Sequence, residues 1–556
     1  MFKRIISISF LAVIMFPATL LHQLMGQSHN ERVTIVGSFQ PQIGDFSKIN
    51  VEPGLDQAEF RKPELRYSFI DKLAETKTEL EKIPALVVVP DRATSAFNNY
   101  FRFGLGSLLS PGLLYRHHSE IADQTYLSLG LRHLSSWTDI PEYAPSDFMT
   151  NALNFGLRHE LSNHSITGNV VYRNDQLNYY GFKPDDFNII PEKDEIRQAY
   201  HTIGLNAGLE SRYDDISSLH HSATIGFNRK SNRDETSENH LFLDADAYKD
   251  MQLFGSGRQS VGLKAGVDYF AYADTLNAGS AGKLRLVPAI GMSGDFFRLR
   301  AGVQMDMAFG DSAQTLLAPD ISANLFLLEN ALDVYATLGG GLKRNGFTAL
   351  SNANPFMDAI VPVIWERTPL EFKAGMRAAL IKNIDLHAAV YYAQVNQMAL
   401  FVTDTIQAWD NKFTVLYDNV GHFAFLADAA FQLNQTVSLK GELAVNSYSP
   451  EREQRAWHKS MFTFKAGADI RPVEKLILAA SMQFEGPRYA PVWSNGVLNE
   501  QELKPWLDLN LGAEYLINEQ FTVFAELNNM IGTRYERFYN YPVQGLQLFG
   551  GFSYKF

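Results

Sequence analysis

The chain has 556 residues, no cysteine, a formal net charge of −12 and only 20% charged residues, against 39 glycines, 39 phenylalanines and 24 tyrosines. Without cysteine there is no disulfide framework, no thiolate metal site and no lipidated N-terminal cysteine, and an acidic chain without a basic stripe is a poor binder of nucleic acid. A mean hydropathy of −0.15 argues against a set of membrane-crossing helices but not against a barrel, whose half-polar strands average out.

The chain opens with Lys3 and Arg4, an apolar run from Ile5 to Leu21, and a small residue at Gly26. A charged start, a short hydrophobic core and a small residue before the cleavage point describe an export signal over residues 1–27. Residues 28–97 are polar and hold five prolines between Pro41 and Pro90. They are expected to form a mostly irregular periplasmic segment, either a reduced plug or a dock for a periplasmic or membrane partner, with a disordered linker as the plainer alternative.

From Asn98 to Phe556 the texture is uniform. Strand-length segments alternate apolar and polar residues with period two, as in Leu507, Leu509 and Leu511 against Asp508, Asn510 and Gly512. Short turns are expected near 162–163, 214–215, 293–295, 329–330, 382–383, 434–435, 471–472 and 518–519. Long connections are expected near 135–149, 176–196, 343–367, 398–412, 449–458, 487–504 and 531–541. This rhythm of short periplasmic turns and long surface loops predicts an all-β fold: a transmembrane antiparallel β-barrel of about 22 strands over 98–556. The final stretch fits. Leu546, Leu548, Phe552, Tyr554 and Phe556 share one face, while the other is small or polar except for Phe549. Phe552, Tyr554 and Phe556 are candidates for an assembly signal, which implies the barrel-assembly machinery and outer-membrane lipid as partners.

The stretch Phe524–Tyr535 (F-A-E-L-N-N-M-I-G-T-R-Y), followed by Tyr541-Pro-Val-Gln-Gly545 and the terminal aromatic strand, resembles the closing hairpin of TonB-dependent receptors. Asn354–Phe356 with Glu371–Tyr392, and Tyr417–Gly421 leading into Phe423–Leu433, resemble mid-barrel segments of that family. Leu131–Ser136 is similar to segments of some Bacteroidota barrels. The resemblance implies a Gram-negative outer-membrane location and a small-molecule ligand. It also marks a departure, since about seventy residues are too few for the family's plug domain. The alternative is a non-transporting structural barrel in an outer-membrane assembly, docked through residues 28–97.

Enzymatic readings fail. His159-Glu160-Leu161-Ser162-Asn163-His164 lacks the second histidine at the spacing a zinc-protease helix needs. Gly341–Gly346 has phosphate-loop spacing, but Phe347 stands where the lysine would be. The pairs His117–His118 and His220–His221 place their rings on opposite strand faces. No cofactor or metal site is expected. What remains is a polar lumen. Lys373, Arg377, Asp385 and His387 are expected to face inward, as are Lys440, Glu442, Asp508, Glu514 and Glu526. Trp137, Trp365, Trp409, Trp457 and Trp493 lie in or beside the outer loops, where an interfacial girdle is the first expectation; ligand stacking and loop packing are the alternatives.

Overall fold

The structure is a computed structural model that describes residues 97–556, apart from 216, 253–256, 329–330, 382, 407–408, 435 and 495–496. The expected export signal and almost all of the proline-rich segment lie outside the described residues.

Twenty-two strands close into a single antiparallel barrel. Each strand pairs with its neighbours in sequence, and the first, Asn99–Gly106, pairs with the last, Gln547–Lys555, from Tyr100 opposite Lys555 to Gly106 opposite Phe549. Closure leaves no strand edge unpaired, the condition for a sheet to cross a bilayer. Outward positions are apolar and lie open to the surroundings, as at Ile225, Val303, Leu317 and Leu548, each more than half exposed. An unbroken apolar outer face on a closed barrel is that of a protein embedded in the outer membrane. Near the seam the belt is aromatic: Phe552 lies 5.6 Å from Phe521 and 6.2 Å from Phe103.

The long connections at one rim are 137–147, 179–196, 346–363, 404–412, 451–461, 486–505 and 529–546. They match the expected long loops in number and place. The rim strands at 106–110, 232–237, 273–278 and 310–314 are joined more tightly. The expected turn at 471–472 is displaced: the strand Phe462–Val473 continues through it and turns at 474–475. The register shifts between Ile470 and Val473, so Pro472 sits where the ladder is already broken and its missing N–H costs no bond.

Inside the seam, Phe549 points into the lumen and fills the space left by missing side chains. A Cβ on Gly104 would come within 2.4 Å of its ring and one on Gly112 within 2.8 Å. The one aromatic on the otherwise small or polar face of the closing strand is therefore a packed residue.

A roofed chamber in the outer mouth

The outer loops fold over the mouth and share a hydrophobic core. Tyr541 stacks on Phe356 at 3.8 Å and meets Tyr180 edge-on at 4.9 Å, joining the connections 529–546, 346–363 and 179–196. Phe413, Met357 and Leu350 are buried in the same cluster. Tyrosine hydroxyls then tie the loops to one another's backbones. Tyr180 donates to the Pro542 carbonyl (2.8 Å), Tyr179 to Met357 (3.0 Å) and Tyr200 to Pro355 (2.8 Å). Tyr541 donates to the Asn411 carbonyl, and Asn411 Nδ2 donates to the Tyr179 carbonyl at 2.8 Å. Burial pushes the Tyr179 and Tyr541 hydroxyls well above the usual phenol range, so both stay protonated donors.

The wall holds the roof from below. The short helix Phe347–Ala353 begins over Glu238, whose carboxylate accepts from the Phe347 and Thr348 amides at 2.9 and 3.1 Å. Such a carboxylate satisfies two of the free amides at a helix start. Lys230 Nζ donates to Asn352 Oδ1 at 2.6 Å and lies 4.7 Å above the Tyr200 ring.

His458 is partly buried where three connections meet. Its Nδ1 lies 3.0 Å from the Phe401 carbonyl, which only accepts, so Nδ1 carries the proton and Nε2 accepts the Tyr539 amide at 3.4 Å. Desolvation pulls its pKa down to about 3, opposed by the Phe401 bond and aided by the nearby charges of Arg488 and Lys459. Burial lowers Lys459 and Arg488 as well. Arg488 donates to the Arg537 carbonyl at 2.6 Å and to that of Glu536, tying the hairpin Arg488–Leu503 to the connection 529–546.

Beneath the roof lies a chamber of about 910 Å³. Its charged lining is Arg173, Asp175, Lys230, Asp508 and Arg537, with amides from Asn178, Asn352 and Asn529. Arg173 and Asp175 pair at 2.6 Å, and Tyr535 donates to Asp508 Oδ2 at 2.8 Å. Asp508 Oδ1 and Asn529 Oδ1 are buried without a partner.

Of the residues expected in the lumen, Asp508 lines this chamber. Glu514 and Glu526 both reach Arg102, Glu514 at 2.6 Å, with the guanidinium 3.6 Å above the Phe524 ring. Arg377 pairs with Asp333 at 2.8 Å, and His387 sits between Asp428 (2.6 Å) and the Tyr335 hydroxyl (2.7 Å). Glu442 faces Lys465 at 3.8 Å. Lys373, Asp385 and Lys440 alternate with Phe372, Leu386 and Leu439, each partly exposed on the outer face. The Arg377–Asp333, His387–Asp428 and Glu442–Lys465 pairs join neighbouring strands along the wall, whereas Arg102 on the first strand reaches past the last strand to Glu526 and Glu514 on the two strands beyond it.

The tryptophans divide. Trp137 and Trp493 are exposed. Trp365 is a correction to the girdle: it turns inward and is buried against Leu342, Leu316 and Phe270, with the Arg344 guanidinium 5.3 Å from its ring. Trp457 is buried against Leu400 and Val402 and donates to Glu453 at 2.8 Å. Trp409 stacks on Phe182 at 5.0 Å inside the roof. Loop packing claims Trp409 and Trp457, whereas Trp365 packs inside the barrel wall against residues of neighbouring strands. Glu160, in the zinc-protease-like stretch, is taken by Arg212 at 2.5 Å.

The barrel fold is that of outer-membrane siderophore receptors. The ferric-catecholate import receptor Fiu of Escherichia coli K12 superposes with a TM-score of 0.62 at 9% identity, covering 83% of this chain and 82% of its own. The pyoverdine outer membrane receptor FpvA of Pseudomonas aeruginosa PAO1 gives 0.63 at 10%, over 83% and 78%. The siderophore receptor PirA of Acinetobacter baumannii gives 0.63 at 8%, over 82% and 80%. No protein-family model matches the sequence, and no curated protein matches it. The receptor-type barrel that the closing hairpin resembles is thus the fold the chain adopts.

Proposed function

We propose that the protein takes up a small-molecule ligand at the outer membrane, holding it in the roofed chamber and releasing it into the lumen when the roof loosens. The observation that supports this most is the chamber itself. It is large enough for a ligand of several hundred daltons, and its unpartnered Asp508 and Asn529 oxygens sit in a buried place where unsatisfied acceptors are costly. The receptor fold supports it too, since proteins named as siderophore receptors share the barrel. The lumen would conduct, and the polar pairs along its wall would keep it hydrated.

Planar-bilayer recording tests the reading. Full-length protein should show small, infrequent openings, and Tyr541→Ala, which removes the ring at the centre of the roof, should raise open time and conductance severalfold. No conductance from wild type, from Tyr541→Ala or from a variant lacking residues 28–97 would sink the transport reading. One observation favours a second reading: the roof is fastened by side-chain bonds to backbone carbonyls on several loops at once, which suits a mouth that stays shut. A structural barrel docked through residues 28–97 would co-purify from native membranes with a stoichiometric partner, and repeated recovery of a lone barrel would end that idea.

A further inference from the structure

The chamber is the first of four cavities that follow one another down a single wall. It shares Phe148, Asn528, Gln544 and Gln547 with a second cavity of about 420 Å³. That one shares Arg116 with a third of about 670 Å³, which shares His118 and Ser128 with a fourth of about 590 Å³ at the opposite rim. Glycines line the course, Gly104 and Gly112 in the second cavity, Gly130 in the third and Gly156 in the fourth, with Phe549 packed over the first two and Ser128 over the last. A Cβ at Gly130 would meet nothing nearer than 3.7 Å, so the recess there is open.

The course is basic although the chain is acidic. Below the chamber the cations are Arg102, Arg116 and Arg132 in the second cavity, Lys555 in the third, and Arg158 and Arg212 in the fourth. The chamber adds Arg173, Lys230 and Arg537. Against these nine stand four lining carboxylates, with Glu514 a fifth on Arg102: Asp175 is engaged by Arg173, Glu526 by Arg102, Glu160 by Arg212, and Asp508 by Tyr535 through one oxygen. Arg116 and Arg132 have no ion-pair or hydrogen-bond partner among the described residues. Leu131 and Tyr115, which alternate with them, belong to the outer face, so both guanidiniums point into the lumen. A wall with an excess of one sign in a confined space concentrates counter-ions.

We infer that this wall is an anion track, binding small molecules that carry two or more oxyanion groups, carboxylate or phosphate, and guiding them from the chamber to the far rim. Arg116 and Arg132 are its central binding residues. The inference rests on the uptake reading for its direction of travel, but the binding itself does not.

The test is equilibrium binding to detergent-solubilised full-length protein at low salt, with inorganic pyrophosphate as one probe and benzene-1,3,5-tricarboxylate as the other. Wild type should bind both saturably and in competition, and salt should weaken the binding. Arg116→Gln/Arg132→Gln should lower affinity roughly tenfold or more, two exposed charge-assisted contacts being lost. Lys373→Gln, on a strand far round the barrel, should leave it unchanged. Absence of saturable binding by wild type, or undiminished binding by a double variant that still migrates as a folded barrel, would overturn the track. A missing bilayer conductance would overturn uptake and leave this result untouched, so the two readings fail separately.

Discussion

His458 shows how one side chain can make a loop assembly answer to pH. The folded protein holds it neutral down to about 3, whereas an unfolded or opened loop titrates near 6.5. The opened state therefore binds the extra proton first, and roof stability is complete above that value and declines as pH falls from there toward 3. Protection factors in 451–461 and 529–546, each normalised to the intrinsic exchange rate at its own pH, should be lower at pH 5 than at pH 8, and His458→Gln should flatten the difference; equal protection at both values would refute the assignment. Packing residues give a second prediction. Gly104→Val forces a side chain into the Phe549 ring and should cost about 1–3 kcal/mol, read as a lower unfolding temperature. The sequence placed Phe549 on the wrong-looking face and gave no reason, because its reason is a set of glycines on the first two strands, more than four hundred residues away. For Trp365 and Trp457 the sequence leaves girdle and packing open: aromatic content at a loop border is the same for both, and only the tertiary contacts distinguish them.

Among elements, strands were legible and loops were not. A strand that faces lipid on one side and water on the other must alternate, and the alternation survives in the sequence without any knowledge of neighbours. Loop positions followed from the same reasoning. Loop structure did not: the hairpin Arg488–Ser494 with Val497–Leu503 and the helix Phe347–Ala353 depend on partners such as Glu238 that lie far off in sequence. The roof is correspondingly a cooperative element. Tyr541→Phe keeps the ring stack and loses the bond to Asn411, so it should open the channel far less than Tyr541→Ala in the same recording; equal effects would show that the ring is not the fastening. The closing strand makes its own prediction. Asn99 N donates to the Phe556 carbonyl at 2.9 Å, and Phe556 N to that of Asn99 at 3.1 Å. Removing Phe556 should lower the fraction of protein assembled in membranes, measured as the unheated fast-migrating band, while protein that does assemble binds pyrophosphate normally.

For the molecule as a whole, strand number, closure and membrane placement were accessible from the chain alone, since the count of alternating segments and the rhythm of connections fix them together. The chamber and the basic wall were not. They arise from residues on strands that alternation assigns correctly to the inside but cannot place beside one another. Among the described barrel strands every pairing but one joins consecutive strands of the barrel, and the exception is the seam, where Asn99 meets Phe556 across 457 positions. This gives assembly an order in time. Neighbouring hairpins close short loops, whereas forming the seam early would close nearly the whole barrel chain, at about 0.6 kcal/mol for each doubling of loop length. Hairpins should therefore zip first and the growing sheet curl until its two edges meet, so that a single late event converts an open ribbon into a closed cylinder. Weakening an interior hairpin would then slow the early phase, while weakening the seam would leave that phase intact and let ribbons accumulate.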